Sequence, residues 1–323
     1  MKRDRWLYLR LEQFNRPAGL VLLTMLVAGL WACSEEVTSP AKQAATSAAK
    51  GPLSVYVVNY PLRYFSERIG GEHVRETFPA PADVDPAFWE PDVEQIAAYQ
   101  QADLILLNGA SYAKWVQRAA LPESRLVDTS IGFTDRYLSL EDQVTHSHGT
   151  GGEHRHGEVA FTTWLDPQQA IEQAAVIRDA LIRVRSDAKA AFQQGFASLQ
   201  KDLQELDGQL AAAFAQHKGQ PLLFSHPVYQ YLIRRYAIDG YELHWEPDSM
   251  PGPDEWGEFD ELLEEFPARW MLWEGVPRPE IVAALDQRGV EALVFEPVAN
   301  QPADGDYLSV MRENIARLSD RRR

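Results

Sequence analysis

Short apolar runs alternate with segments of helical period along most of this chain. Leu53-Ser54-Val55-Tyr56-Val57-Val58 is β-rich and mostly apolar, the pattern of a buried parallel strand. Pro61 to Ile69 follows with helical spacing and stops at Gly70-Gly71. Val74–Phe78 reads as a strand, Glu94–Gln101 as a helix, and Ala102–Leu107 as a strand closed by Asn108-Gly109. Tyr112–Ala119 is expected to be helical and Arg125–Asp128 a short strand. This alternation predicts a parallel α/β layer.

Asp166-Pro167 then opens the longest helical region, with Asp166 as N-cap and Pro167 in the first turn. The pattern runs to about Arg185, restarts at Ser186-Asp187 and continues to about His217. A helix over 188–216 would be about 40 Å long at 1.5 Å per residue, enough to run the height of two lobes, unless it folds as a hairpin on one domain. A second alternation follows. Strands are expected at Pro221–Ser225, Tyr241–His244, Arg269–Trp273 and Ala292–Phe295. Helices are expected at Val228–Tyr236, Glu255–Glu265, Glu280–Arg288 and Tyr307–Leu318. The fold class is therefore α/β, with two parallel-sheet lobes joined by a long helix. The lobes take residues 53–165 and 218–323, and the joining helices take 166–217.

The 323 residues are 45% hydrophobic and 11% aromatic, enough for real cores. Net charge is −16, and no basic stripe tracks a nucleic-acid backbone. Residues 1–33 carry an export pattern. Lys2, Arg3, Arg5, Arg10 and Arg16 precede an uncharged apolar run from Gly19 to Ala32. That run is short of the roughly 20 residues a membrane span needs. It ends in Leu30-Trp31-Ala32-Cys33, which resembles a bacterial lipoprotein cleavage box with Cys33 as the lipidated residue. An uncleaved anchor helix would give the same topology. Cys33 is the only cysteine, which removes thiolate metal sites and intrachain disulfides. Residues 34–52, rich in Ser, Ala and Thr, read as a flexible tether.

The densest chemistry lies in 145–157. His146, His148, His154 and His156 form two H-x-H pairs around a spacer with Gly149, Gly151 and Gly152. Neutral imidazole is the commonest protein ligand for zinc, and residues i and i+2 share one side of an extended backbone. The glycines should make this a loop that binds fast and loosely. The alternative is a polar surface loop with incidental histidines.

Taken in order, several further pieces resemble the substrate-binding proteins of zinc and manganese ABC importers, the ZnuA/TroA-like family. They are Pro61-Leu62 through Gly71, Trp89-Glu90-Pro91, Ala102-Asp103-Leu104 with Asn108-Gly109-Ala110, and the His-rich loop running into Trp164-Leu165-Asp166-Pro167. Phe224-Ser225-His226 with Tyr229 and Tyr231 continues the series, as does Gly305-Asp306-Tyr307 with Met311–Asn314. The resemblance covers Val55 to Leu318. It implies two lobes on a rigid helix with metal held between them.

The implied ligand set meets substitutions. The family's histidine before Trp-Glu-Pro falls on Ala87, and its histidine before Trp-Leu-Asp-Pro falls on Thr162. Its third ligand matches His226, and its acidic fourth, at the end of the last strand, matches Glu296. Three explanations stand open. The site is rebuilt from His226, His244, Glu296 and a water or Asp85 (Asp83 lies beside it). The His-rich loop supplies the missing imidazoles. Or the cleft no longer carries metal. His73 and His217 read as surface histidines, and most tryptophans as core.

The expected function is an extracytoplasmic, lipid-anchored, monomeric solute-binding protein that delivers Zn2+ to a membrane ABC permease, with Mn2+ as the other candidate. The alternative is a metal buffer or sensor acting through the His-rich loop. No H-E-x-x-H, G-x-S-x-G or Walker pattern supports an enzyme.

Overall fold

A computed structural model of the protein describes residues 51–140, 145–147, 153–155 and 159–320. Cys33 and the export and tether segments lie outside the described residues, as do His148 and His156.

The first lobe carries a four-stranded sheet of order β2-β1-β3-β4. Its strands are β1 (Leu53–Val57), β2 (Val74–Thr77), β3 (Leu104–Leu107) and β4 (Leu126–Asp128), all parallel. α1 (Tyr60–Gly70) and α2 (Val93–Gln101) make the crossovers. The Asn59 side chain caps α1 by accepting from Leu62 N, and Asp92 with Gln95 closes a capping box on α2. β5 (Thr145–Ser147) and β6 (Glu153–Arg155) pair antiparallel within the His-rich loop, with His146 opposite His154.

Tyr112–Ala119 is not an α-helix. Gly109, Ala110 and Ser111 all take left-handed φ (76°, 49° and 56°), which turns the chain sharply off β3. Only a 3-10 turn at Lys114–Gln117 follows. Tyr112 and Trp115 are both buried, and their three-residue spacing suits that tighter winding.

α3 (Pro167–Val184) leads through one 3-10 turn into α4 (Lys189–Ala215). Phe192, Phe196, Leu199, Leu203, Leu206, Leu210 and Ala213 form a continuous buried stripe along α4 at alternating spacings of four and three. That stripe packs on α1 and α3 and also on α5 (Gln230–Tyr236) and α8 (Tyr307–Ser319). Gly195 makes the contact with α1 possible: a Cβ there would stand 2.6 Å from the Ile69 carbonyl oxygen.

The second sheet is parallel, with order β10-β9-β7-β8. Its strands are β7 (Leu222–Phe224), β8 (Gly240–Glu242), β9 (Trp270–Trp273) and β10 (Glu291–Val294). α5, α6 (Pro253–Glu265) and α7 (Pro279–Asp286) connect them. Its two faces are separated by strand parity. Leu222, Phe224, Trp270, Leu272 and Leu293 enter the main core. Leu223, Met271 and Trp273 enter a second core with Trp245, Trp256 and Phe259. His217 is buried and not a surface residue. Its Nε2 lies 3.1 Å from the Leu318 carbonyl, and its ring sits edge-on to Trp270.

Several hydrogen bonds stitch the lobes together. Trp164 Nε1 donates to Pro297 O (2.7 Å), and Tyr307 OH donates to Trp164 O (2.9 Å). Tyr231 OH donates to Ala160 O (2.9 Å), and Asn300 Nδ2 donates to both Pro81 O and Val84 O (2.7 Å each). Asp166, at the start of α3, faces Arg234 and Arg235 of α5 at 3.5 and 3.7 Å.

Candidate metal site

The parity that sorts the second core also builds the site. β7 feeds Phe224 to the main core, so His226, two residues on, stays on that face just past the strand end. The segment after β8 keeps pairing with the segment after β7: Leu243 N donates to Phe224 O and Trp245 N to Ser225 O. Leu243 and Trp245 pack into the second core, which turns His244 and Glu246 the other way, towards His226. In β9, Met271 and Trp273 enter the second core, so Leu272 and Glu274 share the opposite face. Three strand ends thus deliver His226, His244, Glu246 and Glu274 to one place. Ligands in open α/β sheets bind beyond such carboxyl ends.

His226 Nε2 lies 3.4 Å from Glu246 Oε1, and its Nδ1 lies 3.9 Å from Glu274 Oε1. One ligand atom from each of the three residues lies within 4.8 Å of the other two. Zn–N and Zn–O bonds of about 2.0–2.2 Å in a tetrahedron separate ligand atoms by about 3.4 Å, so a small inward movement of side chains closes the group on an ion. The imidazole has two nitrogens and a carboxylate near each. One nitrogen can bind metal while the other donates to a carboxylate that fixes the ring. The His244 ring stands perpendicular to that of His226, with centroids 6.1 Å apart.

The site is strongly negative. Burial pushes the Glu274 carboxyl well above its ordinary range, and the charges of Glu246, Asp85 and Asp248 push it further. Each ionised carboxylate there raises the cost of the next, and a divalent cation removes that cost. Asp85 is the first lobe's contribution. It lies on the loop after β2, where its Oδ1 accepts from Ala87 N (2.8 Å). Asn300 fastens the same loop at Pro81 and Val84.

The other sequence-derived positions lie elsewhere. Glu296 has the opposite parity: Phe295 takes the inward position, and the Glu296 carboxylate faces Arg317 at 3.7 Å beside Val276. Glu274, on the neighbouring strand, stands by His226 in its place. Ala87 is buried and offers no donor atom. Thr162 is buried too, and its hydroxyl donates to Val228 O across the lobes. Sequence reasoning missed Glu246 and Glu274. The signal was present: Glu274 lies one residue past β9, and Glu246 lies two residues past the strand expected at Tyr241–His244, both in register with the inward positions.

The model of the family described as zinc-uptake complex component A, periplasmic (ZnuA), matches residues 55–321. The zinc-binding protein AdcA of Streptococcus pyogenes serotype M3 is 23% identical over 295 residues, 85% of this chain. This chain spans only 57% of that relative's length. The manganese ABC transporter substrate-binding lipoprotein scaA of Streptococcus gordonii is 24% identical over 323 residues, covering 93% of this chain and 97% of its own. Among solved structures, the Zn(II)-bound ZnuA-like domain of Streptococcus pneumoniae AdcA superposes with a TM-score of 0.70 at 22% identity, over 84% of this chain and 98% of that one. That likeness shows the fold: two parallel-sheet lobes and a long helix. With its model matched from the first strand to the last helix, the chain belongs to the ZnuA family.

Proposed function

We propose that this protein captures Zn2+ between its lobes, at His226, Glu246 and Glu274, and hands it to a membrane ABC permease. The observation that carries this is the convergence of one imidazole and two carboxylates from three strand ends. His244 and Asp85 complete the shell from either side. The donor set is nitrogen and oxygen without sulfur, which suits zinc. Manganese, the cargo in the name of the S. gordonii relative, binds such sites more weakly in the ordinary divalent series. Attachment outside the membrane through lipid on Cys33 agrees with the lipoprotein names of relatives. Among the described residues no helix is long and apolar enough to cross a membrane.

A second reading has the His-rich loop act as a separate metal buffer. The cross-strand register of His146 with His154 favours it. One experiment separates the two. Zinc affinity and stoichiometry are measured by chelator competition on a full-length variant with His146, His148, His154 and His156 changed to alanine, with and without His226→Ala. The interlobe site predicts one tight zinc that His226→Ala abolishes. A variant without a tight zinc would leave only the loop.

A further inference from the structure

His217, in the turn after α4, is 7% exposed, and its two ring nitrogens are served unequally. Nε2 lies 3.1 Å from the Leu318 carbonyl oxygen, which can only accept, so Nε2 carries the proton. Nδ1 of the neutral ring is then a bare acceptor, and it has no hydrogen-bond partner among the described residues. A buried polar atom left in this way calls for a partner from outside the chain. The same ring lines a cavity of about 400 Å³ between the C-terminal ends of α4 and α5, a size that suits a small molecule. The inner walls are apolar. Phe214 stacks on Tyr236 (5.4 Å between centroids, 20° between planes), and Leu222 and Ile238 complete them. The rim carries one charge of each sign, Lys218 and Asp239, while Asp207 holds the Arg235 guanidinium at 2.5 Å. Ala237 lines the cavity too, with φ 49° and ψ 50°, the left-handed C-cap that glycine normally takes. Strained backbone of this kind gathers at ligand sites. Leu222 opens β7 and His226 follows its far end, so the cavity and the metal site lie at opposite ends of one strand.

We propose that this cavity is a second binding site, for a small uncharged aromatic alcohol of the phenol class. Its ring lies against the Phe214–Tyr236 pair, and its hydroxyl donates to His217 Nδ1. The unserved acceptor fixes the need for a donor, because a ligand that only accepts would leave that nitrogen as it is. The stacked rings suit a flat apolar body, which packs edge-on or offset against them. Opposite charges at the rim favour neither an anion nor a cation. The site shares no residue with His226, Glu246 and Glu274, so it stands or falls apart from the zinc reading.

The test is a fluorine NMR titration of the full-length protein with 4-fluorophenol and with 4-fluoroanisole, which has the same ring but no hydroxyl donor. The proposal expects saturable binding of 4-fluorophenol at one site, with 4-fluoroanisole weaker by about five- to tenfold, the worth of one hydrogen bond. His217→Phe keeps a ring beside Trp270 and removes the acceptor, so the two probes should bind it alike. Ala215 is exposed at the mouth of the cavity, so Ala215→Trp folds whether or not His217→Phe does, and it should block both probes. His226→Ala should change neither titration. Equal affinity of the two probes for the parent, a preference for the phenol that survives His217→Phe, or binding untouched by Ala215→Trp overturns the proposal. So does the absence of saturable 4-fluorophenol binding, which would leave water as the only partner of Nδ1.

Discussion

At the scale of single residues, the site gathers carboxylates around one imidazole. Glu274 shows the sign. Its folded pKa lies above the ordinary value because of burial and of its acidic neighbours. A carboxyl raised in this way contributes stability that is fully present below its unfolded pKa and is lost as pH rises through the folded one. Glu274→Gln should therefore raise the melting temperature of the metal-free protein at pH 8, with little effect at pH 4. The same change should weaken zinc by at least about tenfold, for loss of a ligand or of the group that fixes His226. Thermal melts at the two pH values and chelator competition read the two effects. A variant no more stable than the parent at pH 8 would remove the charge argument. Zinc binding should also weaken as pH falls through about 6.5, where a free imidazole takes up a proton.

Residue chemistry also shows what the sequence could carry. His226 was visible because it is a histidine after a β-rich run. Glu296 was an equally good reading on the same grounds, yet its carboxylate turns to Arg317. The difference is one step of strand parity. Which of two consecutive positions faces inward depends on what the other packs against, here Phe295 in the main core.

At the scale of elements, almost every strand and helix was legible, because parallel strands buried on both faces leave β-branched and aromatic runs bounded by turn residues. One exception, Tyr112–Ala119, follows three consecutive left-handed residues that turn the chain sharply off β3, and it winds only a 3-10 turn; another is the β5–β6 pair inside the His-rich loop. α4 gives a paired test of how helices and packing compete. Gly208 has nothing within 4 Å of its missing Cβ, so Gly208→Ala should stabilise by roughly 0.5–1 kcal/mol. Gly195→Ala places a methyl 2.6 Å from the Ile69 carbonyl oxygen and should destabilise by about 1–3 kcal/mol. Urea denaturation of both variants checks the opposite signs. On β2, burial lifts the Glu76 carboxyl to about 7 despite the Ser66 hydroxyl that donates to it. Its stabilising contribution is present below about pH 4.5 and is lost through about pH 7. Glu76→Gln should match the parent near pH 4.5 and exceed it in melting temperature at pH 8. Parallel melting curves across that range would contradict the assignment.

At the scale of the whole molecule, the lobes are joined by more than a hinge. One buried cluster runs from Leu53 in the first sheet to Leu318 in the last helix, with the stripe of α4 through it. The bonds from Trp164, Tyr231, Tyr307, Thr162 and Asn300 cross between lobes. Closing a cleft by large rotation would break most of them at once. Zinc loading should therefore leave the small-angle scattering profile superimposable on that of the metal-free protein. A clear contraction would show that the stitches yield. None of these cross-lobe bonds was legible in the sequence, since each joins positions whose approach only the folded chain sets.

The central claim is that metal sits among strand-end side chains of the second lobe. Anomalous scattering at the zinc edge, from crystals of the loaded full-length protein, tests it most directly. A peak within about 2.0–2.2 Å of ligand atoms on His226 and at least one of Glu246 and Glu274 is the predicted result. Zinc found only on His146, His148, His154 or His156, with no density beside His226, would contradict it.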